Sequence, residues 1–333
     1  MPIIETYQAQ KGKLCFTSAL HNILLHKGIE VSEEEVFFHC EGLNLVFFTK
    51  DHFFGLSPHE QFENLTRSTG IPTVFSYCID QEDKSAVFLQ IENQLHLGNP
   101  VLLYCGTHGL DYHPEYSAAF KTEHALVIYG MDEASNRAYV ADTYIVGADK
   151  EITFYQGSMK LDGLMKGTFG FGWVEEREGS SHALLEDASY VAKRNLMLYL
   201  KGDSFGERQF KGIFAVQRFM DYLDEIPTYD EVLMRRDCIE VCHRLRHGAL
   251  ISSLQYLHDY MNNDSRRNEP SALAARTELS ELIGKWRRNT TVILRSGLAG
   301  RSEMLAKAVQ DFHIYAQQQE RVFRDILDAL GRT

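Results

Sequence analysis

The stretch KGKLCFTSALHNILLHKG, residues 11–28, decides how the first half of this chain is interpreted. Apolar residues at three- and four-residue steps, from Phe16 to Leu24, predict an amphipathic helix that ends at Gly28. Cys15 falls in the first turn, close to unpaired backbone N–H groups and the positive end of the helix dipole. Both features favour a thiolate, so Cys15 is a candidate nucleophile, with a small buried hydrophobic residue as the alternative.

The segments that follow this helix predict more helices and then a sheet. Residues 31–42, VSEEEVFFHCEG, are interpreted as a second helix with a capping box between Ser32 and Glu35, and residues 85–98 as another helix. Runs rich in β-branched and aromatic residues predict strands over 43–48, 71–79, 100–106, 123–132 and 137–144. This order indicates an α+β domain with helices packed on an antiparallel sheet, not a strict βαβ alternation.

The second half of the chain has a different pattern. After the short polar joint EREGSSH, residues 176–182, five long segments show helical periodicity and almost no strand signal. We therefore predict two domains, an α+β domain over residues 1–178 and an all-α domain over residues 179–333.

Composition argues against several classes of partner. The formal net charge of −12 argues against nucleic acid, because phosphate binding needs a surplus of Lys and Arg on one face. No apolar run approaches the roughly 20 residues of a membrane span. The start MPIIETYQAQ lacks the basic and apolar regions of a signal peptide, so we expect a cytoplasmic protein without membrane contact.

The six cysteines are too sparse for a disulfide framework and are expected to be reduced. Cys238 and Cys242, followed by His243, have the spacing of half a metal site. Because no second ligand pair with zinc spacing occurs elsewhere, we predict neither a metal site nor a resident cofactor.

A cysteine nucleophile needs a histidine within hydrogen-bond distance and a third polar group that orients the imidazole. His124 opens one predicted strand, and Asp142 ends the next. A hairpin that turns near Ala134 would put both side chains on one face of the sheet, about one diagonal step apart. His108 and His113, in the preceding loop, are alternatives for the base. The chain order Cys, His, Asp matches the papain-like arrangement.

An oxyanion hole needs a backbone N–H of the nucleophile and one further donor. Two glutamines precede Cys15, and we favour Gln10 over Gln8 as the side-chain donor.

The stretch CFTSALHNILLHKGIEVSEEEVFFHCEGLNLVFF, residues 15–48, together with EHALVIYGMD and AYVADTY, resembles the N-terminal domain of the butirosin biosynthesis protein H family. The helical second half resembles the domain often fused behind it. The resemblance implies a papain-like fold and a cysteine acyltransferase with Cys15 as nucleophile, His124 as base and Asp142 as orienting acid. Where the family has a glycine-rich strand after the second helix, this chain has the phenylalanine-rich segment EGLNLVFFTKDHFFG.

The family resemblance predicts that an aminoacyl group passes from the thioester of an acyl carrier protein, through a Cys15 acyl-enzyme, to an amine in natural-product (antibiotic) biosynthesis. Two alternatives remain open. The same residues would serve a cysteine hydrolase, which is a peptidase, amidase or thioesterase, and a degenerate papain-like fold would serve as a non-catalytic scaffold.

The segment GKWRRNTTVILRSGLAGR, residues 284–301, carries five basic residues and no acidic one. Arg287, Arg288 and Arg295 are candidate residues for docking an acidic carrier protein or its phosphopantetheine. A solvated helix face paired with neighbouring acids is the alternative. The helical half would also serve as a homodimer interface or as a lid.

Overall fold

The computed structural model of the protein describes residues 2–78, 84–117, 122–146, 151–175, 187–248, 250–263 and 268–331. Its helices are α1 Cys15–His26, α2 Glu33–His39, α3 Pro58–Thr69, α4 Ser85–His96, α5 Pro114–Ser117, α6 Leu161–Gly167, α7 Ala188–Lys201, α8 Ile213–Glu225, α9 Glu231–His243, α10 Leu250–Asn263, α11 Pro270–Leu298 and α12 Ser302–Gly331. Its strands are β1 Val46–Phe48, β2 Phe53–Gly55, β3 Thr73–Tyr77, β4 Val101–Gly106, β5 Glu123–Asp132, β6 Arg137–Val146, β7 Ile152–Lys160, β8 Thr168–Val174, β9 Asp203–Phe205 and β10 Gln209–Lys211.

The chain forms two compact units. The first comprises Met1–Cys40 and Pro58–Leu185, and the second comprises Glu41–Ser57 and Glu186–Thr333. The predicted boundary between residues 178 and 179 lies outside the described residues. An early segment, residues 41–57, belongs to the same unit as the second half of the chain.

The first unit is built on a six-stranded antiparallel sheet with the strand order β3-β8-β4-β5-β6-β7. The central strands β4 and β5 each contain a continuous apolar run of fully buried side chains, among them Leu102, Leu103, Val127 and Ile128. Such runs are typical of strands that are covered on both faces. The predicted α+β class with an antiparallel sheet is confirmed.

Helix α1 packs against β4, β5, β6 and β8 of this sheet. It begins directly after Leu14, whose backbone is extended and whose side chain cannot cap the helix. It buries Leu20, Ile23 and Leu24, and it is followed by Gly28 in the left-handed conformation, with a φ of 73°. The predicted helix thus has the predicted end, and Cys15 is its first residue.

The second unit contains α7 to α12 and a small antiparallel sheet with the order β2-β1-β10-β9. The predicted helical second half of the chain is confirmed, and the small sheet is an addition to it. Strands β1 and β2 pair as a hairpin, Phe47 lies opposite Phe210 of β10, and Phe54 stacks on Phe219 of α8 at 4.2 Å between ring centroids. Strand β1 falls within the strand predicted over residues 43–48, whereas β2, β9 and β10, with three residues each, are too short to show a two-residue period.

Within the described residues, no helix has the length and apolarity that a membrane span requires.

Candidate functional site

The site lies in the first unit, where β5 is flanked by β4 and β6. His124 is opposite Cys105 of β4, and Val127 is opposite Ala141 of β6. Continuing this register towards the start of β5 puts Asp142 one diagonal step from His124 on the same face. The two side chains meet, with 2.9 Å between His124 Nε2 and Asp142 Oδ2.

Cys15 reaches the same place from the first turn of α1. Its half-buried side chain makes a hydrogen bond with the imidazole of His124. Burial raises the pKa of Tyr104, Cys105 and Tyr116, and the negative charge of Cys15 adds to each increase, as expected of neighbouring groups. Since Asp142 is bound at Nε2, Nδ1 is the ring nitrogen left for the sulfur.

His124 is held in its charged form. Its side chain is buried, with 7% of the residue exposed, and burial alone lowers the pKa of an imidazole. The charge of Asp142, its hydrogen bond to the ring, and the hydrogen bond and charge of Cys15 outweigh burial and raise the pKa of His124 to about 10. The site therefore places an imidazolium beside the sulfur of Cys15 at neutral pH.

Asp142 is completely buried, and every polar atom of its side chain has a donor. Tyr112 Oη and Tyr116 Oη each donate to Oδ2 at 2.7 Å, and the backbone N–H of Tyr144 donates to Oδ1 at 3.1 Å. Buried carboxylates require such partners. Sequence reasoning missed both tyrosines, although their four-residue spacing in DYHPEY, residues 111–116, is that of one helical face.

The alternative histidines do not join this cluster. His108 is exposed after the end of β4. The ring of His113 lies 5.7 Å from that of Tyr116, on the segment that carries the tyrosines. Among the three histidines considered as a base, the structure brings His124 to Cys15.

The segment before α1 is fixed by buried polar groups. The backbone N–H of Gln10 donates to Asn22 Oδ1 at 2.6 Å, and Asn22 Nδ2 donates back to the carbonyl of Gln10. The N–H of Gly12 donates to the carbonyl of Thr143, one residue after Asp142. A Cβ on Gly12 would lie 2.0 Å from that of Ser18. The approach to Cys15 is thus tied both to α1 and to β6.

Both glutamine side chains upstream of Cys15 are exposed. Gln10 differs from Gln8 in having a backbone that Asn22 anchors on both sides. The helix start itself supplies other donors, because the first N–H group with an intrahelical acceptor is that of Ser18, which donates to Leu14.

The other five cysteines are buried. Burial raises the pKa of Cys78, Cys105 and Cys242, and it raises that of Cys238 to about 12. Among the described residues, no group of His, Cys, Asp and Glu side chains is arranged to hold a metal ion.

The basic residues singled out in the sequence lie on α11 of the second unit. Arg287, Arg288 and Arg295 are exposed, and Arg287 donates to Gln255 Oε1 at 3.0 Å. Among the described residues, no carboxylate lies within ion-pair distance of these three guanidinium groups.

The fold and the site define an α+β domain in which a cysteine at a helix N-terminus contacts a buried histidine, and that histidine is bound to a buried aspartate. Residues 14–143 match the family model described as butirosin biosynthesis protein H, N-terminal, and this part of the chain is a domain of that family. The matched range contains Cys15, His124 and Asp142, and the family is one of antibiotic biosynthesis. A search of curated proteins finds no match to the chain.

Proposed function

We propose that this protein is a cysteine-dependent acyltransferase of natural-product biosynthesis, with Cys15 as nucleophile, His124 as acid and base, and Asp142 as the group that orients the imidazole. The observation that carries the proposal is the contact of Cys15 with a buried, positively charged His124 whose other ring nitrogen is bound to Asp142. The family of residues 14–143 supports a biosynthetic role.

In the first step the Cys15 thiolate attacks the carbonyl carbon of an acyl thioester. The tetrahedral intermediate collapses with cleavage of the donor C–S bond, and the departing thiolate takes the proton of the His124 imidazolium. One thioester replaces another, so the exchange is close to even in free energy. What the protein must supply is a thiolate, donors for the oxyanion and exclusion of water.

The oxyanion of this intermediate needs donors close to Cys15. The N–H groups at the start of α1 have no acceptor within the helix and point towards the N-terminal end, where the carbonyl oxygen would sit. Gln10 is the side-chain donor in this proposal, because its backbone is anchored to α1 through Asn22. We expect Gln10→Ala to slow acylation, with Gln8→Ala, two residues upstream, as the matched control.

In the second step an amine attacks the Cys15 acyl-enzyme. Neutral His124 takes a proton from the amine nitrogen, the C–S bond to Cys15 breaks, and an amide leaves together with a regenerated thiolate and imidazolium. A hydrolase would carry out the same step with water in place of the amine.

The test is incubation of the full chain with an acyl thioester, with and without an amine, followed by product analysis and intact mass. We expect an acyl adduct that disappears in Cys15→Ala, and amide when amine is present. Free acid alone, in both incubations, would indicate a hydrolase. Absence of both adduct and turnover in the wild-type protein would contradict catalysis and favour a scaffold.

We further propose that the acyl donor is an acyl carrier protein and that Arg287, Arg288 and Arg295 of α11 contact its acidic surface or its phosphopantetheine phosphate. Their exposure, and the absence of an ion pair to any of the three among the described residues, support this. The proposal predicts that Arg287→Glu with Arg288→Glu weakens carrier binding in a salt-dependent manner. The control is Arg321→Glu with Arg324→Glu on α12, where both arginines are exposed and ion-paired. Equal effects of the two pairs would contradict a specific docking role.

A further inference from the structure

Asp142 binds His124 with an oxygen that it shares with two tyrosines. Oδ2 accepts hydrogen bonds from Tyr112 Oη and Tyr116 Oη, each at 2.7 Å, and from His124 Nε2 at 2.9 Å. Tyr116 Oη is also 3.2 Å from His124 Nε2. Three donors therefore converge on one carboxylate oxygen, while Oδ1 accepts from the N–H of Tyr144.

The two tyrosines are held by their own packing. The ring of Tyr112 stacks on that of Tyr155 from β7, with 4.5 Å between centroids and 7° between planes. The rings of Tyr112 and Tyr116 meet edge to face, and the ring of Tyr116 lies 5.3 Å from that of His124. This ring packing restricts the orientation of both side chains and holds their hydroxyls beside Oδ2.

We infer that Tyr112 and Tyr116 are positioning residues of this site: by sharing Oδ2 with His124, their hydroxyls set the strength and direction of the hydrogen bond between Asp142 and the imidazole. The inference rests on the proposed roles of Cys15 and His124. It assigns to the loop before β5 a part in the chemistry that neither the sequence pattern nor the family match assigns to it.

The physical reason is that one acceptor oxygen has limited electron density to offer. Each additional donor stabilises the buried charge of Asp142 and weakens the bonds that the other donors make. Burial and then the charge of Asp142 raise the pKa of both tyrosines, so both hydroxyls remain protonated donors at any ordinary pH. Removal of one tyrosine hydroxyl should therefore strengthen the hydrogen bond between Asp142 and His124.

His124 is faced by titratable groups from every neighbouring element. These groups are Cys15 from α1, Cys105 from β4, Tyr116 from α5 and Asp142 from β6. Of these, Cys105 and Tyr116 are uncharged at neutral pH because burial raises their pKa. If the pKa of His124 changes when a tyrosine hydroxyl is removed, the change therefore acts through Asp142, the carboxylate that both groups contact.

The experiment compares Tyr112→Phe, Tyr116→Phe and the double variant with the wild-type protein, with all histidines isotopically labelled for NMR. Tyr139→Phe is the matched control, because Tyr139 is a half-buried tyrosine on the same strand as Asp142 and three residues away from it. The His124 signals are assigned by their loss in His124→Gln. Urea denaturation confirms that each variant is folded.

We expect the His124 Nε2–H resonance to move to lower field and the titration midpoint of His124 to rise by about half to one pH unit in each single variant. The double variant should exceed both. An unchanged resonance and midpoint, as in Tyr139→Phe, or a shift in the opposite direction, would overturn the inference.

Failure of this inference is distinguishable from failure of the proposed function. If wild-type Cys15 forms no acyl adduct and shows no selective alkylation, the proposed function fails whatever the tyrosines do. If Cys15 is reactive and His124 titrates identically in all tyrosine variants, the inference alone fails.

Discussion

Cys15 differs from the other cysteines in what surrounds its sulfur. It is half-buried at a helix start and bound to a charged imidazole, whereas Cys78, Cys105, Cys238 and Cys242 are buried and have raised pKa values. Thiolates, not thiols, react with alkylating reagents.

The first prediction concerns this difference in reactivity. Iodoacetamide at pH 7 should modify Cys15 at least about tenfold faster than any of these four cysteines in the folded protein, and at a similar rate after unfolding. His124→Asn should reduce the rate at Cys15, because the thiolate loses its cation. The measurement is peptide-level mass spectrometry over time. Equal rates at Cys15 and Cys105 in the folded protein would contradict the proposed ion pair.

The second prediction concerns stability and pH. The folded pKa of His124 is about 10, above the ordinary value of 6.5, so protonation of His124 stabilises the folded state. This contribution is complete below pH 6.5 and is lost as the pH rises through 10. The stability difference between wild type and His124→Asn should therefore shrink from pH 6 to pH 10, as measured by urea denaturation. A constant difference would show that His124 has an ordinary pKa.

The third prediction concerns Gly12, where the chain approaches α1 too closely for a side chain. A Cβ would lie 2.0 Å from Ser18 Cβ and 2.7 Å from its hydroxyl. Gly12→Ala should lower the free energy of unfolding by about 1–3 kcal/mol and slow Cys15 alkylation, because the segment that leads into Cys15 must move. Gly331→Ala, where no atom lies within 4 Å, is the control. Equal unfolding free energies and equal alkylation rates of Cys15 in the two variants would contradict the role of close packing at Gly12.

Helix α2 shows how a local sequence pattern produces a complete element. Ser32 Oγ accepts from the N–H of Glu35, and Glu35 Oε2 accepts from the N–H of Ser32, as the capping-box pattern predicts. The same helix presents Glu33, whose Oε1 accepts from the N–H of Lys13 at 2.9 Å. The cap therefore stabilises α2, the helix whose Glu33 binds Lys13 in the segment before Cys15.

The fourth prediction follows from this cap. Ser32→Ala should lower the unfolding free energy by about 1 kcal/mol, as loss of an N-cap does in other helices. Ser280→Ala, at an exposed position inside α11, should be neutral or slightly stabilising because alanine is the better helix former. Urea denaturation of both variants measures the difference. A loss at Ser32 no larger than at Ser280 would mean that the capping box contributes no net stability.

The two units of the molecule do not follow the order of the chain. Residues 41–57 leave the first unit after α2 and add the hairpin β1–β2 to the second, before the chain returns at α3. The backbone N–H of Gly212 donates to the carbonyl of Leu45, and Phe54 is fully buried against Phe219. The hairpin is thus part of the second unit's core.

The fifth prediction tests this division. Phe54→Ala should destabilise the second unit by about 3–5 kcal/mol, because it removes a buried ring. Hydrogen exchange followed by mass spectrometry should accelerate in residues 209–225 and change little in β4 to β6. Phe154→Ala, at an exposed phenylalanine of β7, is the control. Faster exchange confined to the first unit would contradict the assignment of residues 41–57.

The sequence by itself determined the elements whose signals are local. The three- and four-residue spacing of apolar side chains specified α1, and the capping box specified the start of α2. These signals are local because they depend on backbone geometry over a few consecutive residues.

Only the tertiary structure decided the contacts between distant segments. Among these are the contact between Cys15 and His124, the convergence of Tyr112 and Tyr116 on Asp142, and the packing of residues 41–57 with the second half of the chain. Pairings of this kind depend on which buried surfaces and polar groups of the whole chain satisfy one another, and no short window of sequence contains both partners.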